Sequence, residues 1–206
     1  MEVSILNQSL KVVEQIYNEC EYDSGDIYRI KDLIHSLDEN HWRGKKWCAD
    51  ILRNVYKYEG GRFVVIGGWY GLLAYLLRKR FDNNFHIVSS DMDPDCQRIG
   101  ERLFENCDID FRTFNANTLK SDDIDCIICT SIEHMDPKII HNIIKEKSEY
   151  TWIAVQSCNL IHPTHVNAHD TYQDLEKDLG LTDIIFSNSM SMSGFKRHMV
   201  PGIQKI

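Results

Sequence analysis

The first 58 residues follow a helical pattern of apolar and polar positions. In "VSILNQSLKVVEQIYNEC" the apolar residues recur at the three- and four-residue intervals of one helix face. The segments "DIYRIKDLIHSL" and "WRGKKWCADILRNVY" repeat these intervals. We therefore expect residues 1–58 to form a cap of three helices.

From Gly60 onward, short apolar runs alternate with amphipathic segments. The strand-like runs are "RFVVIG", "NFHIVSSD", "IDFRTFNA", "DCIICTS" and "TWIAVQS". The helical segments among them are "LLAYLLRKR", "DPDCQRIGERLFEN" and "PKIIHNIIKEKS". Strands that alternate with helices form a mostly parallel sheet, because the crossover helices return the chain to the same edge and cover both faces.

The chain closes with a helix and two further strand-like pieces. "TYQDLEKDLG" is helical and ends at Gly180, and a Ser/Gly turn joins "TDIIFSNSMS" to "FKRHMVPGI", which predicts an antiparallel hairpin. Pro201 lies in the last piece, and since proline donates no ladder hydrogen bond, we expect the strand to end or bulge there. The pattern as a whole predicts an α/β fold: a doubly wound, mostly parallel seven-stranded sheet over residues 59–206, with the helical cap before it.

Charge narrows the classes of partner. The 206 residues carry a formal net charge of −8, and the isoelectric point is near 5.5. Binding to bulk DNA needs surplus Lys and Arg to neutralise phosphates, so this balance argues against it. The basic islands at 43–46, 78–80 and 196–198 are interpreted as solvated surface, while an RNA contact at 43–46 stays open.

Cysteine usage and hydropathy predict a soluble, cytoplasmic protein. No apolar run approaches the roughly 20 residues of a membrane span, and the N-terminus lacks the pattern of a signal peptide. Seven scattered cysteines are typical of reduced thiols in the cytosol. Cys126 and Cys129 form a CxxC, but residues three apart on a strand point to opposite faces, so we expect no shared metal there.

The segment "VVIGGWYG" between the first strand and its helix predicts a ligand site. Gly67 and Gly68 allow the backbone to turn sharply and to approach a ligand without a Cβ in the way. Gly71 permits a close entry into the helix, whose N-terminal N–H groups favour an anionic group. Trp69 stands where such loops usually have a glycine. A glycine-rich turn is also common as plain structure, so this signal alone is weak.

The end of the second strand strengthens the prediction. Asp91 follows "HIVSS" about 20 residues past the loop, where an acid can accept hydrogen bonds from a ribose diol. Asp93, which precedes Pro94, is interpreted as the cap of the next helix. A nicotinamide-dependent oxidoreductase on the same fold is a rival, but it requires GxGxxG, and here the third glycine comes one position early.

On these motifs, the chain resembles the class I S-adenosylmethionine-dependent methyltransferases, which have a Rossmann-like fold. "VVIGGWYG" resembles their glycine loop, "SSDMDP" their ribose-binding acid, and "DIDCIICTSIEHM" their fourth strand and following turn. The "GGWYG", "RGKKW" and "QSCN…HVN" segments resemble short phage and bacterial members. The resemblance implies S-adenosylmethionine as cofactor, and it implies that residues of the glycine loop and of the next strand ends bind it: Gly67, Gly68, Trp69, Gly71, Asp91, Met92, Asn115, Ala116 and Thr130, with Asn117 as the alternative to Asn115.

The loop departs from the family pattern at two positions. Val65 stands where the family often has an acid for the methionine amino group, so another group must bind that end of the cofactor. Lys45 or Lys46 can meet the methionine carboxylate, although each also suits a solvated helix. Trp69 either faces the sulfonium, with about 0.5–2 kcal/mol of cation–π attraction, or packs against the helical cap, and the sequence leaves both open.

The candidates for acceptor chemistry follow the fourth and fifth strands. Glu133, His134 and His165 lie on loops at the carboxyl edge of the sheet, where a methyl acceptor is expected, and each can serve as a base if the acceptor must lose a proton. His134 also suits a structural role. His165 and His169 have the four-residue spacing of two metal ligands on a helix face, but no third ligand is evident, so we expect no metal.

The sequence therefore predicts a methyltransferase that acts on a small-molecule or protein acceptor. The turn "TSIEHMDP" lacks both the Asn/Asp-Pro-Pro-aromatic clamp and the Pro-Cys nucleophile of DNA base methyltransferases. Two alternatives stay open: a catalytically silent relative that acts as a binding or regulatory partner, and an RNA methyltransferase that uses the basic residues 43–46.

Overall fold

Three helices open the chain. The computed structural model describes residues 3–19, 24–120 and 122–204. The helices are α1 (Val3–Glu19), α2 (Ser24–Ser36) and α3 (Glu39–Val55). Asp38 begins α3 as its N-cap, since its carboxylate accepts a hydrogen bond from the His41 backbone N–H at 2.8 Å. The helical prediction for this part of the chain is confirmed.

The rest of the chain forms one sheet with helices between its strands. The strands are β1 (Gly61–Ile66), β2 (Phe85–Asp91), β3 (Asp110–Thr113), β4 (Cys126–Cys129), β5 (Trp152–Cys158), β6 (Asp183–Ile184), β7 (Asn188–Ser191) and β8 (Lys196–Ile203). The helices are α4 (Leu72–Arg78), α5 (Pro94–Leu103), α6 (Pro137–Glu146) and α7 (Tyr172–Leu179). β1 to β5 pair in parallel in the order β3-β2-β1-β4-β5, and β8 lies antiparallel to β5. This confirms the doubly wound sheet with a C-terminal antiparallel hairpin.

The sheet has seven positions side by side, and its last position contains two strands. β6 and β7 both pair with β8, with Asp183 opposite Ile203 and Asn188 opposite Met199. The segment predicted as one strand is thus divided by residues 185–187.

The prediction that the last strand ends or bulges at Pro201 is wrong. β8 continues through Pro201, which pairs with Ala154 of β5. The Pro201 carbonyl accepts a hydrogen bond from the Ile185 N–H at 3.1 Å. In a strand the nitrogen and the carbonyl of one residue point to the same side, so the Pro201 nitrogen faces the gap between β6 and β7, where no ladder hydrogen bond is needed.

The helices cover both faces of the sheet. On one face, buried residues of α1 to α5 pack with strand residues such as Phe63 and Ile128. On the other face, α6 and α7 pack against Val64 and Ile127. The first cluster continues from the cap into the sheet without a break, and the proposed boundary near residue 58 stays a prediction. No helix in the described part of the chain combines the length and apolar character that a membrane crossing requires.

Candidate functional site

A cavity of about 720 Å³ lies at the carboxyl ends of the parallel strands, between them and the helices α2 and α3. Most of the residues predicted for the site line it: Gly67, Trp69, Asp91, Met92, Asn115, Ala116, Thr130, Glu133, His134 and His165. Gly68 and Gly71 do not line it. This is the position at which ligands bind in doubly wound sheets.

Glycine stands at each of the three loop positions for a different structural reason. Gly67 has a φ of 60°, borders the cavity and presents bare backbone to it. A Cβ at Gly68 would overlap Ser89 Oγ, and one at Gly71 would overlap the Phe111 ring. Gly71 also has a φ of 88° at the N-cap of α4. The packing of the protein itself therefore requires glycine at positions 68 and 71, which explains why neither reaches the cavity wall.

Asp91 is held in place by the loop that it faces. One carboxylate oxygen accepts a hydrogen bond from the Trp69 backbone N–H at 3.0 Å, and the other accepts one from the Asp93 N–H at 3.2 Å. Each oxygen keeps a second acceptor position. Asp93 caps α5 through the Asp95 N–H, as predicted. The half-buried Asp91 thus borders the cavity in a fixed orientation.

Trp69 packs against the helical cap. Its ring N–H donates to Asp32 at 2.8 Å, and the Tyr70 hydroxyl donates to the same oxygen at 2.7 Å. The Trp69 ring lies edge-on to His41 at 5.3 Å, and the Lys45 ammonium stands 5.7 Å from its centre. Trp69 has a φ of 53°, which non-glycine residues adopt only where the surroundings hold them. Of the two interpretations of this residue, packing on the cap is observed, and the ring also borders the cavity.

The wall after β3 is short and partly exposed. Asn115 caps a 3₁₀ turn at Ala116–Thr118 by accepting a hydrogen bond from the Asn117 N–H at 3.0 Å. Asn115 lines the cavity and Asn117 does not. Met92 is 73% exposed at the rim. Phe114 also lines this wall, and the sequence analysis missed it.

Glu133 lies on a 3₁₀ turn, Ile132–His134, directly after β4. Its side chain is buried, and Ile132 anchors the turn in the core. Oε1 of Glu133 accepts a hydrogen bond from Arg197 Nη1 at 3.3 Å, whereas the buried Oε2 has no partner among the described residues. The Glu133 backbone carbonyl accepts from the N–H groups of Val166 and Asn167 at 2.8 and 3.2 Å. This carbonyl ties the loop after β5 to the loop after β4.

The hydrogen bonds between these two loops bring His134 and His165 together. Their ring centres are 4.7 Å apart and the rings lie edge to face. His165 Nδ1 is 2.7 Å from the Leu160 carbonyl oxygen, so Nδ1 carries the proton and Nε2 keeps a free lone pair. Burial lowers the pKa of His134, and the Glu133 carboxylate opposes that shift only in part. His134 is therefore neutral near pH 7.

His169 lies apart from this group, and the helical spacing considered for it is wrong. Residues 159–170 contain no helix. His169 Nδ1 is 2.9 Å from Ser157 Oγ, and its Nε2 is 3.3 Å from an Asp178 oxygen. These contacts connect the loop after β5 to α7, so His169 has a structural role.

The sequence analysis missed Arg197, because the island at 196–198 was interpreted as solvated surface. Arg197 lies opposite Cys158 at the start of β8, and because β8 is antiparallel, its first residues lie at the carboxyl edge of β5. Nη1 donates to the Thr130 carbonyl at 2.9 Å, and the buried Nε has no partner within the described ranges. The predicted antiparallel hairpin was the sequence signal from which the position of Arg197 at this edge could have been inferred.

The basic residues 43–46 point in different directions. Lys45 lines the cavity, and burial together with the positive charge of Arg197 lowers its pKa to about 8. Lys46 is exposed and pairs with Asp50 at 2.6 Å. Arg43 is exposed and donates to the Ser191 carbonyl at 3.3 Å. The predicted island is thus divided between the cavity and the surface.

Solved structures share this fold. Magnesium protoporphyrin IX methyltransferase (ChlM) from Synechocystis PCC 6803, solved with bound SAH, has a TM-score of 0.65 at 13% identity over 95% of this chain and 94% of its own. The fold is that of a class I methyltransferase. The CurJ carbon methyltransferase has a TM-score of 0.69 at 10% identity over 97% of this chain and 67% of its own, and a SAM-dependent methyltransferase from Aquifex aeolicus has 0.62 at 12% over 82% and 96%. The sequence matches no protein-family model and no curated protein.

Proposed function

We propose that the chain binds S-adenosylmethionine in this cavity and transfers its methyl group to a small-molecule or protein acceptor held beside Glu133 and Arg197. One observation carries the proposal: within a methyltransferase fold, a single cavity joins Asp91 and the glycine loop to the polar cluster after β4. S-adenosylmethionine supplies an electrophilic methyl group on a sulfonium. The residues of the chain would hold and orient the two reactants.

The residues around the glycine loop fit the adenosyl part of this cofactor. Gly67 lines the cavity, and a Cβ there would lie 2.7 Å from Met135 Cε, so glycine lets the backbone form the wall at this point. Asp91 offers both carboxylate oxygens to a ribose diol, with their orientation already set by the loop. Asn115 and Phe114 line the adjoining wall and would contact the adenine.

Lys45 is our candidate for the methionine carboxylate. Val65 is buried in β1 and provides no charge for the methionine end. The Lys45 ammonium faces the cavity beside Trp69, and no hydrogen bond joins it to any residue in the described ranges. Because the Lys45 ammonium lies near the Trp69 ring, both Lys45 and the sulfonium of a bound cofactor would be close to this ring.

The other end of the cavity would receive the acceptor. His134 or Glu133 would take a proton from an acceptor hydroxyl or amine, and neutral His134 has the free lone pair that this requires. Arg197 and Lys45 favour an acceptor with a negatively charged group. Residues of the helices α2 and α3 also line the cavity.

A partner role without catalysis is the second candidate. The cap exposes the apolar side chains of Leu10 and Ile34, which a partner protein could cover. Single exposed apolar residues are also normal on a protein surface. RNA is the weaker alternative, since Lys45 faces inward and the surface part of the 43–46 island consists of Arg43 and the paired Lys46.

Calorimetric titration tests the proposal. S-adenosylmethionine, S-adenosylhomocysteine and NAD⁺ are titrated into wild type, Asp91→Ala and Asp123→Ala, the last being an exposed aspartate outside the cavity. We expect both adenosyl ligands to bind wild type and Asp123→Ala, and to bind Asp91→Ala about 100-fold more weakly, since two hydrogen bonds to a carboxylate are lost. Absence of adenosyl binding to wild type would refute the proposal, and binding of NAD⁺ instead would favour an oxidoreductase.

A further inference from the structure

Three of the cavity residues form a group with the composition of a metal site. Glu133, His134 and His165 each place one ligand atom within 4.8 Å of the other two. A dication bound at roughly 2.0–2.2 Å requires ligand atoms about 3–3.5 Å apart. To bind an ion, the three ligand atoms thus need to approach one another by about 1 Å.

The buried carboxylate of Glu133 is an independent indication of a cation site. The residue is 2% exposed, and its Oε2 accepts no hydrogen bond from any described residue. A buried carboxylate oxygen without a partner is costly, by about 1–3 kcal/mol or more. Arg197 contacts the other oxygen, Oε1, at 3.3 Å and holds the carboxylate in place. A cation beside Oε2 would satisfy it.

His165 has the hydrogen-bonding pattern of a metal ligand. Ligand histidines usually donate their second ring N–H to a carboxylate or a backbone carbonyl, which sets the tautomer and the ring orientation. His165 Nδ1 makes this contact with the Leu160 carbonyl at 2.7 Å, which leaves the Nε2 lone pair free. His134 Nδ1 lies 3.3 Å from Thr164 Oγ1, a hydroxyl that can play the same part.

A second histidine–acid cluster on the opposite side of the cavity lacks these features. His35, Asp38 and His41 are also close enough to share an ion. However, Asp38 Oδ1 accepts from the His41 N–H and contacts the His41 ring, while Oδ2 contacts the His35 ring at 3.0 Å. The acid of this cluster is already satisfied by its neighbours, so nothing in it indicates a missing cation.

We propose that Glu133, His134 and His165 bind a first-row transition-metal dication, with the remaining coordination positions open toward the cavity. Two imidazoles and one carboxylate suit Mn²⁺, Fe²⁺, Co²⁺ or Zn²⁺ better than Mg²⁺ or Ca²⁺, which prefer oxygen ligands. The open positions suit an oxygen atom of the methyl acceptor, whose pKa the ion would lower, so that Glu133 and His134 would act as ligands and not as the base. This part of the proposal rests on the proposed function. With Arg197 and Lys45 nearby, a dication would favour an acceptor with an anionic oxygen.

Titration with Co²⁺ after chelator treatment tests the site, because the visible absorption of Co²⁺ reports its coordination. We expect one Co²⁺ per chain, and binding of Mg²⁺ at least about tenfold weaker. Glu133→Gln and His165→Gln should each weaken Co²⁺ binding by at least about tenfold, since even outer-shell substitutions cost 10–100-fold. His35→Gln, in the other cluster, should bind as wild type does.

Three outcomes would overturn the proposal: no stoichiometric Co²⁺ binding to wild type, unchanged binding in both Glu133→Gln and His165→Gln, or loss of binding in His35→Gln. Thermal unfolding of each variant checks that it is folded, and the half-buried His165 provides a test even if Glu133→Gln does not fold. S-adenosylmethionine titration of the same samples separates the two proposals. A chain that binds Co²⁺ at this site but no adenosyl ligand would retain the metal site and lose the methyltransferase role.

Discussion

The two walls of the cavity differ in how completely their buried polar groups are hydrogen-bonded. On the glycine-loop wall (67–71 with Asp32 and Asp91), Asp32 accepts from the Trp69 and Tyr70 side chains, and Asp91 accepts from two backbone N–H groups. On the acceptor wall (130–134 with His165 and Arg197), the buried atoms Glu133 Oε2 and Arg197 Nε have no partners in the part of the chain that the structure describes. The carboxylates of the first wall are hydrogen-bonded by the loop itself, whereas the second wall has buried polar atoms that no described residue satisfies.

This difference predicts that substitutions on the glycine-loop wall mainly lower stability, while those on the acceptor wall mainly alter binding and turnover. Gly71→Ala should have the largest effect on the free energy of unfolding, a loss of about 3 kcal/mol. The new Cβ adopts a left-handed φ of 88° and overlaps the Phe111 ring. Urea unfolding measures it. Gly180→Ala is the matched control, because Gly180 also has a positive φ of 60°, but a Cβ there would meet no atom of a described residue within 4 Å. This variant should lose only about 1 kcal/mol. Equal losses would show that Phe111 packing does not constrain the loop.

Asp32→Ala should have the next largest effect, a loss of about 2 kcal/mol. It leaves the Trp69 ring N–H and the Tyr70 hydroxyl without their acceptor. Asp32→Asn retains an acceptor oxygen at the same place and should lose less than half as much. If the two variants unfold at the same urea concentration, the hydrogen bonds of this wall do not hold the cap to the loop.

Lys45→Met should raise stability at pH 7 by on the order of 1–2 kcal/mol, because the folded state no longer contains a half-buried ammonium near Arg197. Below pH 8 both the folded and the unfolded wild-type chain are protonated at Lys45. Between about 8 and 10.5 only the unfolded chain keeps the proton, so wild-type stability rises with pH and the advantage of the variant disappears.

Unfolding at pH 7 and at pH 10 measures this difference. Lys46→Met is the control, since Lys46 is exposed and pairs with Asp50, and it should give no gain at either pH. If Lys45→Met still has a higher free energy of unfolding than wild type at pH 10, the charge of Lys45 is not the cause of the difference in stability.

Glu133→Gln should change the free energy of unfolding least, by less than about 1 kcal/mol, because the amide oxygen can still accept from Arg197 while the unpaired anionic oxygen is lost. Methyl transfer should fall at least tenfold if Glu133 takes a proton or binds a metal. Glu101→Gln, an exposed glutamate on α5, is the control for both measurements. A large loss of stability in Glu133→Gln with an unchanged rate of methyl transfer would show that the acceptor wall stabilises the fold and does not serve binding or turnover.

Much of the fold was predictable because local patterns carried it. The alternation of apolar runs and amphipathic segments identified the strands β1 to β5 and the helices between them. Asp93 before Pro94 was recognisable as a cap because the cap and the helix are adjacent in sequence. Asp91 and Glu133 were identified as site candidates because Asp91 ends β2 and Glu133 lies in the turn after β4, and the ends of parallel strands meet at one edge.

The errors occurred where the answer depends on a neighbour that is distant in sequence. Pro201 is tolerated in β8 only because the neighbouring strands β6 and β7 are separated at residues 185–187. His169 has a structural role because Ser157 and Asp178 lie beside it. Arg197 enters the cavity because β8 returns antiparallel to β5.

The sequence by itself determined the sheet, the helices and the glycine loop, since each arises from spacing within a few residues. Only the tertiary structure decided which polar groups share the cavity. Glu133 and His165 are 32 positions apart, and they meet because the Glu133 carbonyl binds the Val166 and Asn167 N–H groups across two loops. Such contacts depend on how strands are ordered in the sheet, and hydrophobic periodicity along a chain contains no information about the partners of a loop.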